Sequence, residues 1–211
     1  MTHTDYSSER EQLIRTCRKM HASELGVGSS GNLSRRVAGG MLITPTGAPV
    51  AEINAEQLVL MTLDGKLSAK QLRPSSEWAM HADVYASRPQ VGGIVHCHSR
   101  HATILACAQR TIPAVHYMIA ATGTREIPLA PYATFGTRAL AANALGAMGQ
   151  GKACLLAHHG QLAVGGDAAE ALDIAVQVEE LAAIYLGCLA LGNVRSLSDA
   201  QMADVEAAFG S

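Results

Sequence analysis

A β-branched apolar run that ends on alternating histidines, Val91-Gly92-Gly93-Ile94-Val95-His96-Cys97-His98, constrains this chain more than any other stretch. The run from Gly92 to Val95 follows a Pro89-Gln90 turn and reads as a buried strand of about four to six residues. Side chains alternate along a strand, so His96 and His98 share one face and Cys97 takes the other. At about 3.3 Å per residue, two strand neighbours of this kind lie roughly 6.6 Å apart at Cα, which lets two imidazoles converge on one tetrahedral cation. The same pattern suits two histidines hydrogen-bonded at a sheet end, so a further donor is required. Leu155-Leu156-Ala157-His158-His159-Gly160 offers it: a second short apolar run, expected to be a strand that Gly160 ends, delivering histidines to a loop mouth. Period 2 sets His158 and His159 on opposite faces, and spacing leaves open which of them faces the site.

A chain of 211 residues with 48% hydrophobic content is long enough to bury one sizeable core, and a single domain over residues 1–211 is expected. The formal net charge of −2 gives no electrostatic footprint for nucleic acid or a membrane surface. Five cysteines (Cys17, Cys97, Cys107, Cys154, Cys188) are scattered through apolar runs and read as reduced core residues. The start Met1-Thr2-His3-Thr4-Asp5 has no apolar leader, and no apolar run reaches the ~18 residues of a membrane span. A cytoplasmic soluble protein is therefore expected.

Apolar spacing predicts a helix over 9–25 closed by Gly26. After it, the Gly/Ser-rich stretch 26–34 reads as a loop whose backbone amides can point at an anion. Residues 41–44 read as a strand ended by Pro45-Thr46-Gly47, and 58–67 as a hairpin turning at Asp64-Gly65. In Arg73-Pro74-Ser75-Ser76-Glu77-Trp78, proline disfavours helix at Arg73, and Ser75 is expected to cap a helix running to about residue 86. Two seryl hydroxyls at a helix N-terminus make a phosphate seat. By its position, Glu77 reads as a first-turn carboxylate that favours the helix dipole, and His81 as a packed or surface histidine. Further elements expected are a helix over 100–108 and a strand over 113–118, with His116 and Tyr117 on opposite faces. A helix over 137–145 follows, then a long helix opened by an Asp167/Glu170 capping box, and a last helix from 198 to about 209. The class is α/β, a sheet covered by helices on both sides.

Ordered segments along nearly the whole chain resemble the class II aldolase family, which also includes the adducin head. They are Gly31-Asn32 with Ser34, Met41-Leu42-Ile43-Thr44-Pro45-Thr46-Gly47, Pro74-Ser75-Ser76-Glu77-Trp78, Ser87-Arg88-Pro89, Val95-His96 with His98, IPAVHYMIA at 112–120, APYATFGTR at 130–138, and His158-His159-Gly160. The resemblance implies a three-layer sandwich with a mainly antiparallel central sheet. It implies one Zn²⁺, or another divalent ion, held by His96, His98 and His159, with Glu77 beside it as proton carrier and possible additional ligand. Tyr117 matches the family's catalytic tyrosine, and Phe135 an aromatic on the aldehyde side. Ser29, Asn32, Thr46, Gly47, Ser75 and Ser76 would take the phosphate of a phosphorylated sugar.

The implied reaction is reversible cleavage of a ketose 1-phosphate of the L-fuculose 1-phosphate kind to dihydroxyacetone phosphate and a small aldehyde. It passes through an enediolate whose charge the cation stabilises, with the site lying between subunits of a homotetramer. Alternatives within the resemblance are an aldolase acting on 5-deoxy- or 5-methylthioribulose 1-phosphate, a ribulose-phosphate 4-epimerase, a methylthioribulose-1-phosphate dehydratase, and a non-enzymatic adducin-like module. The last is disfavoured by the full set of histidines with Glu77 and Tyr117. One departure is expected to open the aldehyde pocket: Phe209-Gly210-Ser211 carries no match to the second tyrosine of the family's C-terminal tail.

Overall fold

The computed structural model describes residues 6–26, 28–67 and 71–209. Residues 1–5, Val27 of the glycine-rich stretch, and Gly210 and Ser211 at the end of the given sequence lie outside the described residues. In chain order the elements are α1 (Ser7–Ala22), β1 (Asn32–Val37), β2 (Gly40–Ile43), β3 (Val59–Met61), α2 (Trp78–Ser87), β4 (Gly93–Cys97), α3 (Arg100–Cys107), β5 (Ile112–Pro113), β6 (Glu126–Ile127), β7 (Leu129–Ala130), α4 (Arg138–Met148), β8 (Ala153–Leu156), β9 (Gly160–Gly165), α5 (Ala168–Ala190) and α6 (Asp199–Phe209).

The central sheet has seven strands in the order β3-β2-β1-β4-β9-β8-β7, antiparallel throughout except for the parallel pair β7/β8. Strand alternation divides its side chains between two cores. Leu33, Leu42, Val95, Cys97, Leu155 and Ala163 pack under α1, α3 and α5. Met41, Ile43, Ile94, Leu156, Leu162 and Val164 pack under α2 and α4. Because both faces are covered, the central strands read as near-continuous apolar runs, the signature visible at 92–95 and 153–157. This is the α/β class and the mainly antiparallel sheet expected.

Several boundaries differ for local reasons. Helix α1 buries Leu13, Ile14, Cys17 and Met20 at helical spacing but ends at Ala22. Glu24 takes the left-handed conformation (φ 55°), and the Leu25 amide reaches back to the Met20 carbonyl, so closure comes before Gly26. The stretch expected to be loop as far as Ser34 becomes strand at Asn32. One face of β1 carries Asn32 and Ser34, which point at polar partners, so apolar alternation never shows in the sequence. Gly160, expected to end a strand, begins one: β8 and β9 form a hairpin in which Leu156 pairs with Gly160.

The segment 58–67 turns at Gly65, as read, but β3 pairs with β2, and the return strand is a single bridge between Met61 and Leu67. Asp167 caps α5 through the Glu170 amide, whereas the Glu170 carboxylate accepts from Gly166 rather than closing a full capping box. Cys17, Cys97 and Cys154 are buried, but Cys107 is exposed and Cys188 half-buried, so the reading of all five as core residues is corrected. No described helix is long and apolar enough to cross a membrane.

Candidate active site

Strand β4 ends by placing His96 on the α2/α4 face of the sheet while Cys97 points into the opposite core, as alternation requires. His98 follows in extended chain, and the turn between β8 and β9 supplies His159. The three rings meet edge to face, with centroids 4.9, 4.8 and 4.8 Å apart, and their ligating nitrogens all lie within 4.8 Å of one another. His96 Nε2 and His98 Nε2 are 3.0 Å apart. Tetrahedral ligation at about 2.0–2.1 Å puts ligand nitrogens roughly 3.3 Å apart, so the cluster needs only a small adjustment to hold one cation. His96 Nδ1 donates to the Gln161 carbonyl at 2.8 Å, which leaves Nε2 bare on the side of the other two rings.

The choice between His158 and His159 is settled by backbone conformation. His158 sits at φ 55° in a turn, outside any strand, and its exposed ring lies edge-on to Tyr132 at 6.1 Å. Strand periodicity therefore never applied to this pair. Gly160 is required by close approach: a Cβ there would lie 2.4 Å from the Cys97 carbonyl oxygen and 2.9 Å from the His98 ring.

Glu77 lies against this cluster. Ser75 does not cap α2; the helix begins at Trp78, and Glu77 occupies the cap position without capping it. Its side chain turns inward, with Oε2 3.0 Å from His96 Nε2 and Oε1 3.5 Å from His159 Nε2. Oε2 also accepts from Asn32 Nδ2 at 3.0 Å, whereas the buried Oε1 has no hydrogen-bond partner among the described residues. Burial alone would raise the Glu77 carboxyl, but the His96 and His159 rings and the Asn32 donor outweigh it and hold it well below the usual range. Burial would likewise lower His96, and the Glu77 carboxylate reverses that. His98 and His159 fall to about 4, through burial first and then the charge of His96, and so stay neutral, the form in which an imidazole can ligate a cation. Three imidazoles, two of them held neutral, and a carboxylate with one orphaned buried oxygen form a donor set that fits a divalent cation.

A cavity of about 370 Å³ opens over the cluster. Of the residues singled out in the sequence, Ser29, Asn32, Thr46, Gly47, Ser75, Ser76, Glu77, His98, Phe135 and His159 line it, and His96 lies fully buried behind them. Ser30 and Tyr132, which residue patterning did not single out, line it too, as does His158, the other histidine of the pair that spacing left open. Its lining mixes hydroxyls and glycine from the loops around 29–31, 46–47 and 75–76 with Tyr132, Ala133 and Phe135. Tyr117 is not brought in. The expected strand over 113–118 stops at Pro113, and His116 Nδ1 instead caps a 3₁₀ turn over Tyr117–Thr122 by accepting from the Met118 amide. Tyr117 stays 49% exposed, its ring 4.7 Å from that of His116.

Residues 11–186 match the family described as Class II Aldolase and Adducin N-terminal domain. The chain belongs to this family. It is 44% identical over 193 residues to the 5-methylthioribulose-1-phosphate/5-deoxyribulose-1-phosphate aldolase of Rhodospirillum rubrum, covering 92% of this chain and 87% of that one. It is 45% identical over 195 residues to the L-fuculose phosphate aldolase of Escherichia coli K12, covering 92% and 90% respectively. A solved structure of L-fuculose 1-phosphate aldolase matches with a TM-score of 0.94 at 36% identity, over 100% of both chains. This class II aldolase thus has the fold of enzymes that are metal-dependent, and its three-histidine cluster is the possible metal site.

Residue reading missed the polar layer beneath Glu77. His81, fully buried, bonds Asn32 Oδ1 at 2.6 Å and Ser34 Oγ at 2.7 Å, and Ser34 Oγ meets the Tyr85 hydroxyl at 2.8 Å. The signal was available: Glu77, His81 and Tyr85 recur every fourth residue, so they form one stripe at the start and along the face of α2.

Burial, reinforced by the charge of His96, pushes the His81 ring down to about 3 in this class II aldolase. Between that value and the ordinary ~6.5, the unfolded chain takes up a proton that the folded protein refuses. This stability is fully present above ~6.5 and falls as pH drops by up to ~1.4 kcal/mol per unit, so that the loss is on the order of 4 kcal/mol once pH reaches the folded value. Urea midpoints measured from pH 7.5 to 4.5 are expected to fall more steeply for the wild type than for His81→Gln; parallel slopes would remove His81 as the source.

Proposed function

We propose that this class II aldolase reversibly cleaves a ketose 1-phosphate to dihydroxyacetone phosphate and a small aldehyde, with Zn²⁺ as its metal. The observation that carries this reading is the convergence of His96, His98, His159 and Glu77 beside a cavity lined by hydroxyls and by the aromatic rings of Tyr132 and Phe135. His96, His98 and His159 would hold a divalent cation, which would supply Lewis-acid stabilisation for the negative charge left on the ketose oxygens when the C3–C4 bond breaks. Ser29, Thr46, Gly47, Ser75 and Ser76, with the second amide hydrogen of Asn32, hold the phosphate away from the reacting bond, so that its binding energy positions the sugar.

Glu77 carries the proton at C3, removing it in condensation and returning it in cleavage. Burial alone would lift its carboxyl, but the imidazole contacts hold it down and keep it ionised, the form that can accept a proton in condensation. Tyr117, exposed and outside the cavity of its own chain, serves the C4 hydroxyl proton of a neighbouring subunit's site in a homotetramer. The single domain spans 1–211, and the enzyme works in the cytoplasm on a small phosphorylated sugar.

For the substrate, L-fuculose 1-phosphate is the first reading. The second, 5-deoxy- or 5-methylthioribulose 1-phosphate, is favoured by the exposed Tyr132 and Phe135 that line the cavity, which suit an apolar C5 substituent. Incubating zinc-loaded enzyme with dihydroxyacetone phosphate and a panel of aldehydes, then comparing kcat/KM, separates them. Preference for lactaldehyde supports the first, preference for methylthioacetaldehyde the second. Epimer formation or loss of water without carbon–carbon cleavage in the reverse assay would overturn both.

A further inference from the structure

We propose that His81 is a positioning residue for Glu77: it fixes the Asn32 amide so that its NH₂ group is aimed at Glu77 Oε2, which leaves Oε1 as the oxygen free to meet the reacting groups. This rests on the reading of Glu77 as the group that carries the proton. The Asn32 amide is shared between two partners on opposite sides, Oδ1 facing His81 Nε2 at 2.6 Å and Nδ2 facing Glu77 Oε2 at 3.0 Å. An amide oxygen only accepts, so His81 Nε2 carries the ring proton. In a neutral imidazole Nδ1 is then a bare acceptor, and it takes the Ser34 hydroxyl proton at 2.7 Å. The Ser34 oxygen in turn accepts from the Tyr85 hydroxyl at 2.8 Å. Burial keeps the Tyr85 phenol protonated and the His81 ring neutral, as this direction needs.

Every donor in the chain therefore points one way, from Tyr85 through Ser34, His81 and Asn32 to the carboxylate. Reversing the Asn32 amide would set two oxygens against each other at Glu77 and break the bond to His81. Ser34 and His81 are fully buried, and each polar atom they present is partnered, so the layer holds one arrangement rather than several. Its end point decides what it is for. Glu77 Oε2 is pinned by Asn32 and His96, while Oε1, buried and unpartnered among the described residues, lies 3.5 Å from Nε2 of His159, a residue that lines the cavity.

The test compares His81→Gln and His81→Asn in zinc-loaded enzyme. Glutamine places an N–H near the position of Nε2 and can still donate to Asn32; asparagine reaches only as far as Nδ1. Both remove the ring and lose similar stability. His81→Asn is expected to lower kcat by about 10- to 100-fold with KM within about threefold and metal content unchanged, and His81→Gln to recover most of that loss. In the wild type, ¹⁵N NMR of histidine-labelled protein is expected to show the His81 proton on Nε2. Equal activity losses in the two variants, or a proton on Nδ1, would overturn the proposal. Wild-type enzyme that cleaves no ketose 1-phosphate would sink the functional reading instead, and the ring tautomer would still decide whether His81 orients Asn32.

Discussion

Glu77→Gln is expected to lower kcat about 10³-fold in both directions, on the order of 4 kcal/mol of barrier, while metal content stays at the wild-type level. Glutamine keeps the shape of the side chain and an oxygen to accept from Asn32 Nδ2, so the buried layer beneath it survives. What it loses is the oxygen that takes and returns a proton. Exchange of the dihydroxyacetone phosphate C3 proton with deuterated solvent isolates that step from aldehyde capture, and it should fall in parallel with kcat. Unchanged exchange would remove Glu77 as proton carrier. Loss of metal along with activity would reassign it as a ligand, a role that its 3.0 Å approach to His96 Nε2 makes testable.

The second large effect separates adjacent histidines. His159→Ala is expected to weaken zinc affinity by more than about 10²-fold, the upper range for losing a mere supporting partner, and to abolish activity at ordinary metal concentrations. His158→Ala is expected to leave affinity within a few-fold, because that ring faces Tyr132 rather than the cluster. Isothermal titration of zinc into chelator-treated protein reads both, and equal losses at the two positions would contradict the assignment. Chelation of the wild type should stop turnover, and added Zn²⁺ should restore it.

Much of this site is legible in residue order because the relevant spacing is short. His96 and His98 share a face through strand alternation alone, and the apolar run before them is what a strand covered on both faces looks like. Ser75 and Ser76 lie where a helix begins, although the cap itself falls at Glu77. Glu77 read as an ordinary first-turn carboxylate because its chemistry comes from partners 19 and 82 positions away, which no local pattern contains. Tyr117 was placed on a strand by its flanking β-branched and apolar residues. The His116 side chain instead accepts the Met118 amide and turns the chain into 3₁₀ helix, a side-chain-to-backbone competition that composition does not reveal.

By itself the sequence determined the strand ending in His96 and His98, the helices that cover the sheet, and, through its ordered motifs, the aldolase family. These follow from periodicity and residue chemistry, which act over a few positions at a time. Only the tertiary structure decided that His159 rather than His158 completes the cluster, because a left-handed turn rather than strand alternation sets their directions. It likewise decided that Glu77 bonds to Asn32 and His96, and that His81 supports Asn32 from beneath. Those contacts exist only once β1 pairs with β4 and α2 packs across them, joining polar groups that burial would otherwise leave unpaired.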